Sequence, residues 1–558
     1  MALSFEKLSA SGRIFKADAA SDYTVERTIL ADFATQAFVR LSFTFPESHL
    51  EHLVSVACTP HASKNDRLVA CTLLENAVIA AKGALPLCQD TGVAQLIAWK
   101  DSALHTVSKE REAPFTSDTE ALSFGIGQAY QKHNLRFSIN TPLSLFEERN
   151  SKTNLPACID IFSTDCPPDK KPSYRFLCCA KGGGSSNKTD FTCATKALLN
   201  EKSFEQFLKT KIAALGTAAC PPYTIAVVIG GLSPEQNLLT LKLATTGYWD
   251  AVTRLKQEAT HSIGWTDTVG GVVPLRCTEW EPRIIELARE TGLGAQFGGT
   301  QLAVHAEVYR LPRHGASCFA SIGVSCNAHR NLLGYISGEG VYLQQTVADP
   351  SPFLTKAQQV HPVKDAEQPS LHTQGEKPVP VTLDSVQEAR TKLTRYTVGQ
   401  AFTFSGNILV ARDAAHARWK ALLEQGRPLP DYTTQYPILY AGPAQTPPRA
   451  VIGSFGPTTA NRMDTYAEDL MSRGAALITI AKGNRSALWT AACKKYGGFY
   501  LGTVGGAAAL IAEKNITAHH VLDYPDLGME AVQLITVRDL PVFLLIDDKG
   551  NDFYASLP

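Results

Sequence analysis

An α/β fold in two unequal parts is what this sequence predicts, and three observations carry that reading. The 558 residues are too many for one core and suit two or three domains. A stretch from Thr346 to about Pro378, punctuated by Pro350, Pro352, Pro362 and Pro369, lacks apolar periodicity and reads as a linker or extended arm. On either side of it, short β-branched runs alternate with helical spacing and glycine turns. The predicted division is therefore residues 1–345, a linker at 346–378, and residues 379–558.

The first part opens helical. Asp66 to Lys82 are mostly good helix formers with a broad apolar face, and Gly83 is placed to stop them. Phe204, Phe207, Leu208, Ile212 and Leu215 keep helical spacing up to Gly216. Thr224 to Ile229 then reads as a buried strand, so this part is mixed, with helices dominant early. In the second part, Ala450–Phe455, Ala475–Ala481 and Val542–Ile546 are predicted strands. Asp547 to Asn551 is a predicted hairpin turn.

Composition excludes several functions. Lysine plus arginine equals aspartate plus glutamate at 53 each, which argues against a broad nucleic-acid or membrane-surface footprint. The longest apolar runs, such as Ile225 to Ile229, fall far short of a bilayer span. The N-terminus has no apolar signal core, and Glu6, Asp18 and Asp22 fit a transit peptide poorly. A cytoplasmic protein is expected, with a mitochondrial form as the alternative. Thirteen cysteines in this length are too sparse for a disulfide scaffold, and the odd count points to reduced thiols. No CxxC pair occurs, so zinc ribbons and ferredoxin-type clusters have no spacing support.

Three glycine-dense clusters carry charge. The first is Leu87-Cys88-Gln89-Asp90-Thr91-Gly92, after the predicted helix stop. The second, Lys181 to Thr189, contains three consecutive glycines that let backbone N–H groups approach an anion, although the Walker A spacing fails. A flexible surface loop is its plainer reading. In the third, Gly453 to Arg462, a strand, a glycine turn and a threonine-capped helix start would form an anion site, with Arg462 one turn inside. Lys482 leaves the end of the next predicted strand, where ligands of open α/β sheets usually sit. His314 lies between Arg313 and Gly315, a dozen residues before Cys326. Spacing alone does not bring these groups together.

The residues themselves resemble a family. Cys-Gln-Asp-Thr-Gly at Cys88, Gly-Gly-Gly-Ser-Ser-Asn-Lys at Gly182, Gly-Thr-Ala-Ala-Cys-Pro-Pro-Tyr at Gly216 and Leu-Pro-Arg-His-Gly-Ala-Ser at Leu311 resemble class I fumarate hydratases. So do Gly-Ser-Phe-Gly-Pro-Thr-Thr at Gly453, Ala-Lys-Gly-Asn-Arg-Ser at Ala481 and Tyr-Pro-Asp-Leu-Gly-Met-Glu-Ala at Tyr524, in the family's order.

This resemblance implies a large helix-rich α/β N-terminal domain and a smaller α/β C-terminal swivelling domain, with the cofactor at their interface. It implies one [4Fe–4S] cluster per chain, bound by Cys88, Cys220 and Cys326, which leaves one iron open to substrate. The implied reaction is reversible hydration of fumarate to (S)-malate by a homodimer. Arg136, Arg412, Arg462 and Lys482 match carboxylate-binding positions, and Gln89, Gly184 and Thr459 match positions lining the same site. Asp90, assisted by His314, is the candidate for proton exchange with the leaving water, and Thr458, with Thr459 as the alternative, for proton transfer at carbon. Two departures from the pattern stand out: Asn327-Ala328-His329-Arg330 where a serine and an acidic residue are expected, and Ser186 where alanine is commoner. A sister hydro-lyase acting on tartrate or mesaconate is the near alternative. A cluster-free regulatory or nucleic-acid-binding relative is the distant one.

Overall fold

Ser63 and Asp66 start the helix predicted from Asp66 slightly early. In the computed structural model, which describes residues 3–16, 22–108, 115–258, 262–359 and 378–557, it runs Lys64–Ala80. The Ser63 side chain accepts from the Asp66 N–H and the Asp66 carboxylate accepts from the Ser63 N–H, a reciprocal capping box. The helix predicted to end at Gly216 forms over Glu201–Leu215, with Gly216 at φ +57° in a conformation open to glycine. The predicted strand at Thr224 forms as Tyr223–Gly231, buried along its whole length.

The first part is a mixed α/β layered structure. Six strands lie in the order Phe5–Leu8, Gly340–Gln344, Asn331–Ser337, Ser173–Lys181, Val93–Asp101, Cys158–Thr164. A second sheet orders Asp190–Ala194, Cys318–Ser325, Tyr223–Gly231, Ala303–Arg313 and Leu275–Arg276. Helices Arg27–Phe43 and Asp118–Lys132 cover one face of the first sheet. Between the sheets, Ile97, Trp99 and Leu177 share a core with Ala226, Val228 and Tyr309, and with helices Pro234–Thr245 and Tyr248–Gln257. Period-2 alternation explains the split: Val227 and Val308 face the opposite core, with helices Glu201–Leu215 and Glu281–Glu290.

The later residues build a seven-stranded sheet: Val379–Leu383, Ala401–Val410, Ile438–Leu439, Ile478–Ala481, Phe499–Gly502, Val532–Ile546 and Ile516–Asp523. Val532–Ile546 also pairs with Ala401–Val410, so the sheet closes on itself. Beyond it, Asp547 N–H bonds the Asn551 carbonyl at 3.2 Å, the turn that was expected.

Two expectations are corrected. Ala450–Phe455 is not a strand but an irregular segment, and no threonine caps a helix after it; a 3₁₀ turn at Asn461–Tyr466 begins after Ala460. Ile452 and Phe455 are buried by loop packing rather than by a ladder, which a short apolar run cannot distinguish. The opening of the predicted linker is likewise a helix, Ser351–Gln358, which Pro350 and Pro352 start by their fixed φ. Lys356 of that helix pairs with Glu51 at 3.0 Å, docking it on the earlier helices. Residues 360–377 of the expected linker lie outside the described residues.

The two parts share a core. Leu50, Leu53, Leu73 and Leu74 belong to the same apolar cluster as Trp419, Trp489, Leu501 and Leu544. Asn76, 2% exposed, is the polar staple within it: its amide donates to the Leu87 carbonyl at 2.9 Å and its oxygen accepts from Ala509 and Leu510 N–H at 2.8 and 3.1 Å. Asn76→Leu would orphan three buried backbone groups, so a loss of about 2 kcal/mol or more is expected. A lowered urea midpoint checks this; an unchanged midpoint would mean the staple is redundant.

Candidate active site

Strand register brings the cysteines together. Val93 pairs with Lys181, so the Cys88–Gly92 loop before one strand and the glycine loop after the other emerge at the same end of the first sheet. Thr224 pairs with Ser325, so Cys220 and Cys326 leave the same end of the second sheet. Asn331 pairs with Cys179, which returns the Cys326 loop to the first sheet. Across from them, Arg412, Lys482 and Gly505 follow the C-terminal ends of Ala401–Val410, Ile478–Ala481 and Phe499–Gly502.

Hydrogen bonds fix the loops. Cys220 is held at φ +62°, a left-handed conformation that costs a non-glycine residue energy. Asn327 N–H donates to the Cys220 carbonyl at 3.1 Å. The amides of Gln296 and Asn327 both donate to the carbonyls of Pro221 and Gly505, at 2.9–3.2 Å. Gly505 must be glycine, because a Cβ there would lie 2.5 Å from Cys220 Sγ.

The site is strongly charged. Lys482 Nζ donates to Cys220 Sγ at 2.7 Å. Burial pushes the Cys220 thiol up to about 11 against the pull of Lys482, and it also raises Cys88, which feels Arg330 and Lys482. Cys326 acts electrostatically on both, so the three sulfurs share one neighbourhood. Arg330 is 3% exposed, and its Nε and Nη1 find no hydrogen-bond partner. A buried guanidinium with two unpartnered nitrogens and a lysine beside the thiols suit an anionic thiolate-bound group. The cysteines do not form a tight triplet: among the described residues, Asp250, His305 and Glu307 are the group whose ligand atoms all lie within 4.8 Å. The wider thiol spacing suits a cluster rather than a single ion.

Asp90 organises the anion-binding side. Its carboxylate pairs with Arg136 Nη2 at 2.8 Å and accepts from the N–H groups of Gly183 and Gly92 at 2.9 and 3.2 Å. Burial alone would raise its pKa, but Arg136, Arg330 and those N–H groups hold it well below the usual carboxylate range. The second glycine-rich segment is thus a short helix, Gly183–Ser186, tied to Asp90. Gly184 packs on the Cys220 loop, with its Cβ position 3.9 Å from Lys482 Nζ. Gln89, 2% exposed, donates to the Pro457 carbonyl at 3.3 Å.

Arg136 also donates to the Gly442 carbonyl at 3.1 Å, and a Cβ at Gly442 would meet Arg412 Nη1 at 2.8 Å. Arg136 and Arg412 therefore meet across Gly442. Arg412 pairs with Glu530 at 2.5 Å. Thr458 is 7% exposed and its hydroxyl has no hydrogen-bond partner; Thr459 bridges to Lys482. Arg462 is more open, with 42% of its side chain exposed, and pairs with Asp413 at 2.9 Å. His314 stands apart: it is exposed on the turn after Ala303–Arg313, where its Nδ1 accepts from Ala316 N–H. Arg330, Gln296, Gly505 and Glu530 were not predicted. Arg330 and its neighbour Asn327 lay within the departure after Cys326, which was the available signal.

This arrangement defines a protein that gathers three thiols and several cationic side chains around the meeting point of its two sheet ends. The description "Fumarate hydratase (Fumerase)" fits residues 31–334 at the family level, and "Fumarase C-terminus" fits residues 354–557. The chain is 43% identical to fumarate hydratase 2 of Leishmania major, over 94% of this chain and 86% of that protein. It is 43% identical to the anaerobic class I fumarate hydratase of Escherichia coli (strain K12), over 96% of this chain and 91% of that one. Against the mitochondrial fumarate hydratase 1 of Leishmania major the identity is 42%, over 96% and 91%. The chain belongs to the class I fumarate hydratase family.

His49 supports the Cys326 loop: its Nε2 bonds the Asn327 carbonyl at 2.7 Å and its ring stacks on His329. Burial lowers its pKa from 6.5 to about 3, despite that bond. The unfolded chain therefore takes up a proton below about pH 6.5 where the native chain does not, and stability falls with pH down to about 3. At pH 5 the expected loss is about 2 kcal/mol. Denaturation midpoints should fall less steeply with acid in His49→Gln than in the natural protein; equal slopes would remove His49 as the cause.

Proposed function

We propose that this protein hydrates fumarate reversibly to (S)-malate, with one [4Fe–4S] cluster held by Cys88, Cys220 and Cys326. The contact of Lys482 with Cys220 Sγ carries the reading, because it joins the cationic strand ends to the thiol loops. When bound, the cluster supplies a Lewis-acidic iron that polarises the hydroxyl being added or removed. Arg136 and Arg412, with Arg462 at the mouth, take the substrate carboxylates, since a guanidinium fork matches a carboxylate. Lys482 offsets charge between thiolate and substrate. Gln89, Gly184 and Thr459 shape the floor.

Asp90 holds Arg136 and the glycine loop in place. Proton exchange at Asp90 requires that substrate first draw Arg136 away, since a carboxylate paired this well is a poor base. His314 is proposed only as an accessory to that step. Thr458 brings an unpartnered hydroxyl to the cleft and is assigned to proton transfer at carbon. A homodimer in the cytoplasm is proposed, with residues 1–345 and 379–558 as the two domains of each chain. Among the described residues no helix is long and apolar enough to cross a membrane.

Two measurements test this reading. Anaerobically purified protein should turn over fumarate well above tartrate and mesaconate; absence of fumarate turnover contradicts it. Thr458→Ala should lower kcat by about 100-fold or more while leaving KM within a few-fold. Parallel losses in kcat and malate affinity would make Thr458 a binding residue instead.

A further inference from the structure

Between the two sheets of the first part lies a second cluster of ligand-type side chains, separate from the cysteines. His305, Glu307 and Tyr309 sit at alternate positions of the strand Ala303–Arg313, so all three face the helix Tyr248–Gln257 that carries Asp250. Their register partners Ala226 and Val228 belong to an apolar core with Tyr248 and Trp249. Glu307 is fully buried in that layer. A buried carboxylate is costly unless a cation and hydrogen bonds compensate it.

The compensation within the chain is incomplete. Asp250 Oδ2 lies 3.0 Å and Glu307 Oε1 3.4 Å from the same atom, His305 Nε2. Neither contact has hydrogen-bond geometry: both His305 Nε2 and Glu307 Oε1 are buried without a hydrogen-bond partner. Even when the ring is charged and paired with both carboxylates, its single Nε2–H can point squarely at only one of them. The remaining oxygens, by contrast, are secured. Tyr309 OH donates to Glu307 Oε2 at 2.8 Å, and Arg276 Nη1 donates to Asp250 Oδ1. Three ligand atoms converge while their outer partners fix the carboxylate orientations, which is the layout of a metal site with its supporting shell.

The spacing agrees. Ligand atoms at about 2.0–2.1 Å from a tetrahedral ion are about 3.3 Å apart, close to the 3.0 and 3.4 Å seen here. The His52 ring stacks on His305 with centroids 5.5 Å apart. It lines the same cavity of about 80 Å³ as His49, His329, Asp250 and His305. Asp250 and His305 border this space, which has room for about two waters beside an ion that they and the deeper Glu307 would hold.

We propose that Asp250, His305 and Glu307 form a second metal site, which takes a divalent first-row cation through nitrogen and oxygen ligands and no sulfur. One imidazole with two carboxylates suits manganese, ferrous iron or zinc. The ion ties the helix Tyr248–Gln257 to the strand Ala303–Arg313 beside a cavity that His329, three residues beyond Cys326, also lines.

Manganese(II) is the probe, because it avoids the thirteen thiols that would capture zinc. Anaerobic protein with its cluster intact and no dicarboxylate present is titrated with Mn²⁺, and the free ion is followed by electron paramagnetic resonance. One tightly held Mn²⁺ per chain is expected, with a rise in the thermal midpoint on binding. Glu307→Gln, which keeps the shape, and His305→Ala should each weaken that binding by about 100-fold or more, with iron and sulfide unchanged. Cys88→Ala should leave Mn²⁺ binding in place, which separates this site from the cluster. If the natural protein binds no Mn²⁺ tightly, or if both Glu307→Gln and His305→Ala bind it as well as the natural protein does, the trio is an internal ion pair and the proposal fails.

Discussion

Lys482 resting on Cys220 is the interaction on which the rest of the site depends. A thiol buried this deeply resists ionisation, and only an adjacent cation makes its thiolate affordable in that environment. Lys482 is itself half-buried, so each charge favours the other. The pair requires the end of the strand Ile478–Ala481 to reach the loop before Tyr223–Gly231. Gly505 permits that approach, and Gln296 and Asn327 fix it through the Pro221 and Gly505 carbonyls.

A second charged system is arranged around Asp90. Its carboxylate collects Arg136 and two glycine N–H groups, which ties the loop bearing Cys88 to the loop bearing Gly184. Arg136 then meets Arg412 over Gly442. Each guanidinium already carries a carboxylate, Asp90 or Glu530, so a substrate carboxylate would bind there by exchange with one of these partners. The shared core beneath, from Leu50 to Leu544, gives these loops a rigid base.

Much of this was legible in the sequence and some was not. The helix over Lys64–Ala80 and the strand at Tyr223 follow from local periodicity and caps, and Lys482 falls at a strand end as its pattern implied. Ala450–Phe455 misled, because an apolar run records burial and not the ladder that would make it a strand. The approach of Cys88, Cys220 and Cys326 depends on pairings such as Val93 with Lys181 and Thr224 with Ser325, which no local spacing encodes. Motif resemblance supplied what spacing lacked for those cysteines. It marked Arg330 only as part of a departure from the pattern, its position beside the thiols emerging from the fold, and it said nothing of Glu307, fully buried on the strand Ala303–Arg313.

The central claim is that three thiols from separate loops hold one catalytic cluster. Iron and acid-labile sulfide analysis of anaerobic protein, with the visible spectrum, tests it most directly when Cys88→Ala, Cys220→Ala and Cys326→Ala are run beside the natural chain. The account predicts about four irons and four sulfides per natural chain, and loss of both, with loss of the broad visible absorption, in each variant. A natural chain without sulfide, or a full complement retained in any of the three variants, would contradict it.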